Sequence, residues 1–225
     1  MTEPTGTQKF KSNLIDAAQA AGIKVDRAVK PVDRYIKPGK LRFHFLDWGN
    51  EHLPNLVFIH GFAQQAHTWD FAALAFNGLF HILSLDLRGH GDSDWSPTGE
   101  YRPEDYLSDL HTTLKAIGIR KVLLCGLSLG GRLAFQYAST HHKVVQGLIV
   151  VDSAPTMQTS GSRRIRQFVE GIDEWDSFEE MTMHVSKYAR RPLEQIRGSL
   201  RNSSYQRKDG KWTWKYDSRL RKHRT

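Results

Sequence analysis

Cysteine is almost missing from this sequence. Its one example, Cys125, excludes an internal disulfide and most thiolate metal sites. Long apolar runs are missing too. Stretches such as Leu56 to Ile59 and Leu148 to Val151 fall far short of the ~20 residues that a membrane helix needs. The N-terminus, Met1-Thr-Glu-Pro-Thr, has no basic-then-apolar signal pattern. Internal repeats and low-complexity tracts are also lacking. These absences leave a soluble, cytoplasmic globular protein as the expectation. The apolar material is not scarce: 39% of the 225 residues are hydrophobic, with 6 Trp, 7 Tyr and 11 Phe. That is enough for one core domain carrying a smaller insert, and it excludes wholesale disorder.

Acidic residues are in deficit, 24 against 32 Lys and Arg, for a formal net charge of +8. The deficit is local. Residues 1–160 carry 16 basic and 15 acidic side chains, whereas residues 161–225 carry 16 and 9. A basic tail can serve nucleic acid or an anionic surface. No nucleic-acid motif accompanies this one, and its aromatics pattern as a β-hairpin. The expectation is therefore no nucleic-acid and no membrane partner, and a basic surface whose acidic neighbours lie outside the sequence.

Along the chain, residues 1–32 form an N-terminal extension with a helix, since Phe10, Leu14, Ala18 and Ala21 share one face and Gly22 can stop it. From residue 33 to 157 short apolar strands alternate with helices. Strands are expected at 34–37, 40–48, 55–60, 81–86, 121–125 and 144–151, and helices at 66–76, 103–117 and 130–140. Apolar runs alternating with helices imply a mostly parallel, doubly wound α/β sheet buried on both faces. Residues 158–217 turn helical and charged, as a cap, and end in a hairpin whose turn is Asp209-Gly210. Residues 218–225 are left as a basic tail.

Chemistry gathers at the strand ends. Gly126-Leu127-Ser128-Leu129-Gly130 is a G-x-S-x-G segment between a strand and a helix. G-x-S-x-G also recurs by chance, but a sharp strand-to-helix turn here would lift the Ser128 hydroxyl clear of the sheet as a nucleophile. Gly126 and Gly130 are expected where a side chain would collide with the neighbouring strand and helix. The strand ending His60-Gly61-Phe62 is where oxyanion donors should lie. The backbone N–H groups of Phe62 and Leu129 would point at a carbonyl over Ser128, and Gly61 allows the close approach. His60 is expected to brace that loop rather than act as a base. The loop Asp86-Leu-Arg-Gly-His-Gly-Asp-Ser-Asp reads as a tight turn held by internal polar contacts. No metal site is expected there or at the adjacent pair His141-His142.

Four blocks now carry a resemblance. Phe58-Ile-His-Gly-Phe, Leu85-Asp-Leu-Arg-Gly-His-Gly-Asp-Ser, Gly126-Leu-Ser-Leu-Gly-Gly and Val151-Asp-Ser-Ala-Pro, in this order, resemble the α/β-hydrolase fold family over about residues 33–217. The hairpin from Asp209 resembles the end of the cap in a bacterial-type subgroup. The resemblance implies a cofactor-free serine hydrolase, esterase-like, with a small-molecule substrate. Ser128 would attack a carboxylic ester or a related acyl or carbon–carbon bond beneath a helical cap. Epoxide hydrolases and haloalkane dehalogenases share the fold with Asp at the elbow, and Ser128 argues against both.

The sequence departs from the family in one respect. The family's catalytic order is Ser, then Asp or Glu, then His. His184 lies in a cap helix and His223 in the basic tail, and neither follows a sheet strand. Asp152, after the 144–151 strand, stands where some relatives keep the acid. The expectation is thus a fragment lacking the catalytic His and inactive as it stands. The alternative is a non-catalytic small-molecule-binding relative.

Overall fold

The computed structural model describes residues 14–25, 29–154, 172–189 and 191–221. Its main sheet has six strands: β1 (Val32–Ile36), β2 (Phe43–Asp47), β3 (Asn55–Ile59), β4 (His81–Leu85), β5 (Val122–Leu127) and β6 (Val145–Val151). Their spatial order is β1-β2-β4-β3-β5-β6. The β1–β2 and β2–β4 pairings are antiparallel, and the remaining pairings, β4–β3, β3–β5 and β5–β6, are parallel. The expected α/β class and mostly parallel sheet are therefore found.

The alternation along each strand decides what covers it. In β3, Leu56 and Phe58 join Leu46, Ile82, Trp69 and Leu74 on one face. Val57 and Ile59 join Leu83, Leu85, Tyr106, Leu110 and Leu133 on the other. Helix α1 (residues 14–20), which contributes Leu14 and Ala18, and α2 (Asp70–Phe76) cover the first face. Helices α3 (Pro103–Ile117) and α4 (Leu129–Thr140) cover the second. Pro103 sets the first turn of α3, the Asp105 carboxylate accepts the Arg102 N–H at 2.9 Å, and Gly118 ends the helix at φ 90°. The Phe10 of the expected α1 face lies outside the described residues.

Strand β6 pairs with β5 alone among the described strands. It is an edge, and Leu148, Ile149, Val150 and Val151 are 36 to 53% exposed.

The cap contains α5 (Phe178–Ser186) and α6 (Leu193–Ser203), and a three-stranded sheet of β7 (Glu174–Trp175), β9 (Trp212–Trp214) and β8 (Ser204–Gln206). The hairpin turns at Gly210, φ 85°, as its Asp-Gly pair suggests. The short β7 has no sequence signature of its own. Residues 158–171 of the expected cap lie outside the described residues.

Two expectations about the C-terminal charge need correction. Ser218–Arg221 is not a free tail but a 3₁₀ turn with Leu220 buried. The acidic neighbours are also present in the chain. Arg197 pairs with Glu179, Lys211 with Asp176, Lys215 with Asp92, Arg219 with Asp217, Arg207 with Glu174 and Arg221 with Asp173. Four of these carboxylates, Asp173, Glu174, Asp176 and Glu179, lie 18 to 48 residues before their basic partners, and a net count does not show which charges folding brings together. Among the described residues no helix is long and apolar enough to cross a membrane.

Candidate active site

Strand β5 ends at Leu127 and α4 begins at Leu129, so Ser128 makes the whole turn between them. Its backbone sits at φ 51°, ψ −109°. This is a region that a residue with a Cβ enters only under strain, at a cost of ~1–3 kcal/mol, and such strain persists only where the surroundings enforce it. Here the Ser128 N–H donates to the Val151 carbonyl at 2.9 Å, and the Arg132 N–H donates to the Ser128 carbonyl at 3.1 Å.

The glycines explain how tight this turn is. A Cβ on Gly126 would lie 2.3 Å from the Gly130 carbonyl oxygen, and one on Gly130 would lie 2.3 Å from the Ile59 oxygen and 2.6 Å from the His60 oxygen. The start of α4 is thus pressed against the end of β3, which carries the loop Gly61-Phe62. The structure therefore brings together the two segments whose N–H groups, Phe62 and Leu129, were expected to form one anion site. Leu129 opens α4, where backbone N–H groups lack helical partners and the helix dipole favours negative charge.

The loop after β3 is tied to itself. The Gln64 side chain accepts the Gly61 N–H at 2.9 Å, the Gln64 N–H donates back to the Gly61 carbonyl at 3.2 Å, and Ala63 holds a positive φ of 57°. His60 is fully buried with both ring nitrogens committed. Nε2 accepts the Leu87 N–H at 3.0 Å, so Nδ1 carries the proton and donates to the Gly61 carbonyl at 2.7 Å. Burial holds its pKa below the usual imidazole value. Neither nitrogen is free to take a proton from Ser128.

The Gly89-His90-Gly91 loop is a turn organised around a buried carboxylate. Asp86 accepts the Ala66 N–H at 2.6 Å and the Asp92 N–H at 2.9 Å, and faces His44 Nδ1 at 2.7 Å. The Nε2 of His44 lies 3.1 Å from Asp33. Burial alone would lower the His44 pKa, but these two carboxylates outweigh it and raise it above the usual value. Sequence reasoning attached no role to His44, because an isolated His in a strand gives no sign of which carboxylates will flank it. His44, Asp86 and Asp92 are the described group whose ligand atoms lie within 4.8 Å of one another, as a metal would need. Each is already engaged: His44 by two carboxylates, Asp86 by two backbone N–H groups, and Asp92 by the Lys215 ammonium at 2.7 Å.

Asp152 lies one residue beyond Val151, at the same end of the sheet as Ser128. It is exposed, has a φ of 49°, and makes no hydrogen bond or ion pair to a described residue. His184 lies tilted against Trp175 at 5.5 Å and Tyr188 at 5.5 Å within the cap, and His223 lies outside the described residues. Among the described residues no hydrogen bond joins the Ser128 hydroxyl to a histidine. Cys125 is the other potential nucleophile nearby. Burial pushes its thiol up to about 11, which keeps it protonated and unreactive near neutral pH.

Comparison with known proteins gives a consistent result. The sequence profile of the alpha/beta hydrolase fold matches residues 54–220. The chain is 29% identical over 223 residues to esterase Rv0045c of Mycobacterium tuberculosis, covering 96% of this chain and 72% of that protein. The crystal structure of that esterase superposes with a TM-score of 0.74 at 28% identity, again over 96% and 72% of the two chains. Epoxide hydrolase 3 of Xenopus tropicalis is 31% identical over 119 residues, which are 52% of this chain and 32% of that protein. The chain thus spans under three quarters of the esterase and about a third of the epoxide hydrolase.

Proposed function

The chain belongs to the alpha/beta hydrolase fold family, and from that premise we propose that it is a serine hydrolase of small carboxylic esters, or of a related acyl or carbon–carbon bond. The observation that carries this reading is the backbone of Ser128, strained at φ 51° and ψ −109° between β5 and α4. The esterase relative favours ester substrates. A hydroxyl at the elbow, where epoxide hydrolases carry a carboxylate, favours acyl chemistry over epoxide opening.

In this mechanism the Ser128 Oγ adds to the substrate carbonyl carbon and its proton passes to a general base. The carbonyl π electrons move to oxygen, and the resulting oxyanion accepts hydrogen bonds from the Phe62 and Leu129 N–H groups. Collapse expels the alcohol, which takes a proton, and leaves an acyl-Ser128 that water then hydrolyses. Strain at Ser128 keeps its hydroxyl facing the substrate, and His60 braces the loop that carries Phe62. Asp152 is the acid candidate by position alone. No described residue is assigned as the base, and the substrate is a small molecule handled without cofactor, in a cytoplasmic setting.

A second reading is favoured by a Ser128 hydroxyl with no hydrogen bond to a histidine among the described residues: a non-catalytic relative that holds a small molecule between core and cap. A fluorophosphonate probe separates the two. Where a general base is present, the expected result is an adduct on the peptide containing Ser128, abolished by Ser128→Ala while stability stays within ~0.5 kcal/mol, since the hydroxyl fills no core cavity. Binding of small esters without any adduct supports the second reading.

A further inference from the structure

We propose that Tyr216, at the exit of the cap hairpin, is a positioning residue for the oxyanion loop: its ring holds Phe62 where the Phe62 N–H can meet a developing oxyanion. The inference rests on the reading of Phe62 as an oxyanion donor and deepens it.

Phe62 belongs to no helix or strand, and Ala63 beside it holds a positive φ. Gln64 and His60 hold Gly61 by its backbone, and packing of the Phe62 ring adds a second hold on the loop. Two rings flank Phe62. The His90 ring stands edge-on at 6.0 Å and 86°, and the Tyr216 ring lies at 5.8 Å and 53°. His90 is a weak support by itself. Its Nδ1 lies 3.0 Å from the Arg88 carbonyl, but its buried Nε2 has no hydrogen-bond partner, so the ring depends on what packs around it. Tyr216 lies against it too, at 6.5 Å.

Tyr216 is itself fixed from both sides. It forms a β-bridge with His90, and the next residue, Asp217, donates its N–H to the Gly89 carbonyl at 2.9 Å. The Asp217 carboxylate is buried between the Tyr101 hydroxyl and the Arg219 guanidinium, and Arg219 also donates to the Ser96 carbonyl at 2.6 Å. Burial works against this charge, but the two donors overcome it and hold the Asp217 pKa below the usual carboxylate range. Toward the cap, Tyr216 stacks on Trp214 at 6.0 Å, and Trp214 meets Trp175 at 5.4 Å. A continuous column of rings therefore runs from the cap sheet to the oxyanion loop, and Tyr216 is its last member before Phe62.

The test compares Tyr216→Ala, Tyr216→Leu and Tyr216→Phe in the whole chain by two readouts. These are the rate of fluorophosphonate addition to Ser128 and hydrogen exchange of the amides from Gly61 to Gln64. Losing one oxyanion donor outright slows such chemistry ~100–1000-fold, so a displaced donor should slow addition ~10-fold or more. The Ala and Leu variants should show that loss and faster exchange at 61–64, with exchange in β3 unchanged. Tyr216→Phe should restore both, because the ring and not its hydroxyl does the positioning. Leu keeps apolar volume and serves if Ala fails to fold. Wild-type addition rates and exchange in Tyr216→Leu overturn the proposal, and so does a Phe variant as impaired as Leu. If the wild type gives no Ser128 adduct, the nucleophile reading fails, and the exchange comparison alone decides the role of Tyr216.

Discussion

Replacing glycine by alanine inside a helix normally stabilises a protein, and two helical glycines of this chain should respond with opposite signs. Gly198 lies in the interior of α6 with nothing within 4 Å of a Cβ added there. Gly198→Ala should therefore stabilise by ~0.5–1 kcal/mol, the usual helical difference between the two residues. Gly130 lies in the first turn of α4, where a Cβ would sit 2.3 Å from the Ile59 oxygen, while ordinary contact begins near 3.4 Å. The two segments must separate by about 1 Å. Strand β3 cannot recede, because β4 and β5 pair with it on both sides. Overpacking of this kind costs ~3 kcal/mol. The two variants should thus differ by ~4 kcal/mol in urea unfolding followed by far-UV circular dichroism. The same 1 Å shift displaces Leu129, so addition of a fluorophosphonate to Ser128 should fall ~100-fold in Gly130→Ala. If Gly130→Ala unfolds within ~0.5 kcal/mol of the wild type, or if both variants move in the same direction, the close approach of α4 to β3 is refuted.

Two further outcomes follow from charge and exposure. His90 is buried and its pKa is pushed down to about 3, by burial first and by His60 next. Below pH 6.5 the unfolded chain binds a proton that the folded imidazole refuses, so this group's contribution is fully present above that pH. It is lost toward pH 3 at up to ~1.4 kcal/mol per pH unit. His90→Phe should flatten the slope of unfolding free energy between pH 6 and pH 4.5, and an unchanged slope would mean that the imidazole titrates normally. At the sheet edge, Ile149 is 53% exposed within a run of four apolar residues, a template for pairing with another chain. Ile149→Lys should shift the protein toward monomer in size-exclusion chromatography, and identical profiles would show that β6 drives no self-association.

Much of the fold and part of the site were legible in order along the chain. The apolar strands, the Asp209-Gly210 hairpin turn and the strand–Ser128–helix turn announce themselves within about ten residues, because each is a local backbone problem with few solutions. Gly126 and Gly130 could be placed at close approaches for the same reason. The short cap strand β7 was not legible, since two residues carry no periodicity of their own. The pairing of the basic C-terminal stretch was missed as well, because a net charge does not say which carboxylates, here Asp173, Glu174, Asp176, Glu179 and Asp92, the fold places beside each basic residue.

The sequence by itself determined the class of sheet, the order of its parts and the residue that makes the tightest turn. Only the tertiary structure decided that both nitrogens of His60 are occupied, that His44 bridges Asp33 and Asp86, and that Tyr216 and Asp217 close onto Phe62, Gly89 and Tyr101. Tyr101 and Asp217 are separated by 116 residues. Periodicity and turn chemistry act over one or two turns of backbone, whereas a hydrogen bond between distant residues exists only once the sheet, the helices and the cap have fixed where both ends lie.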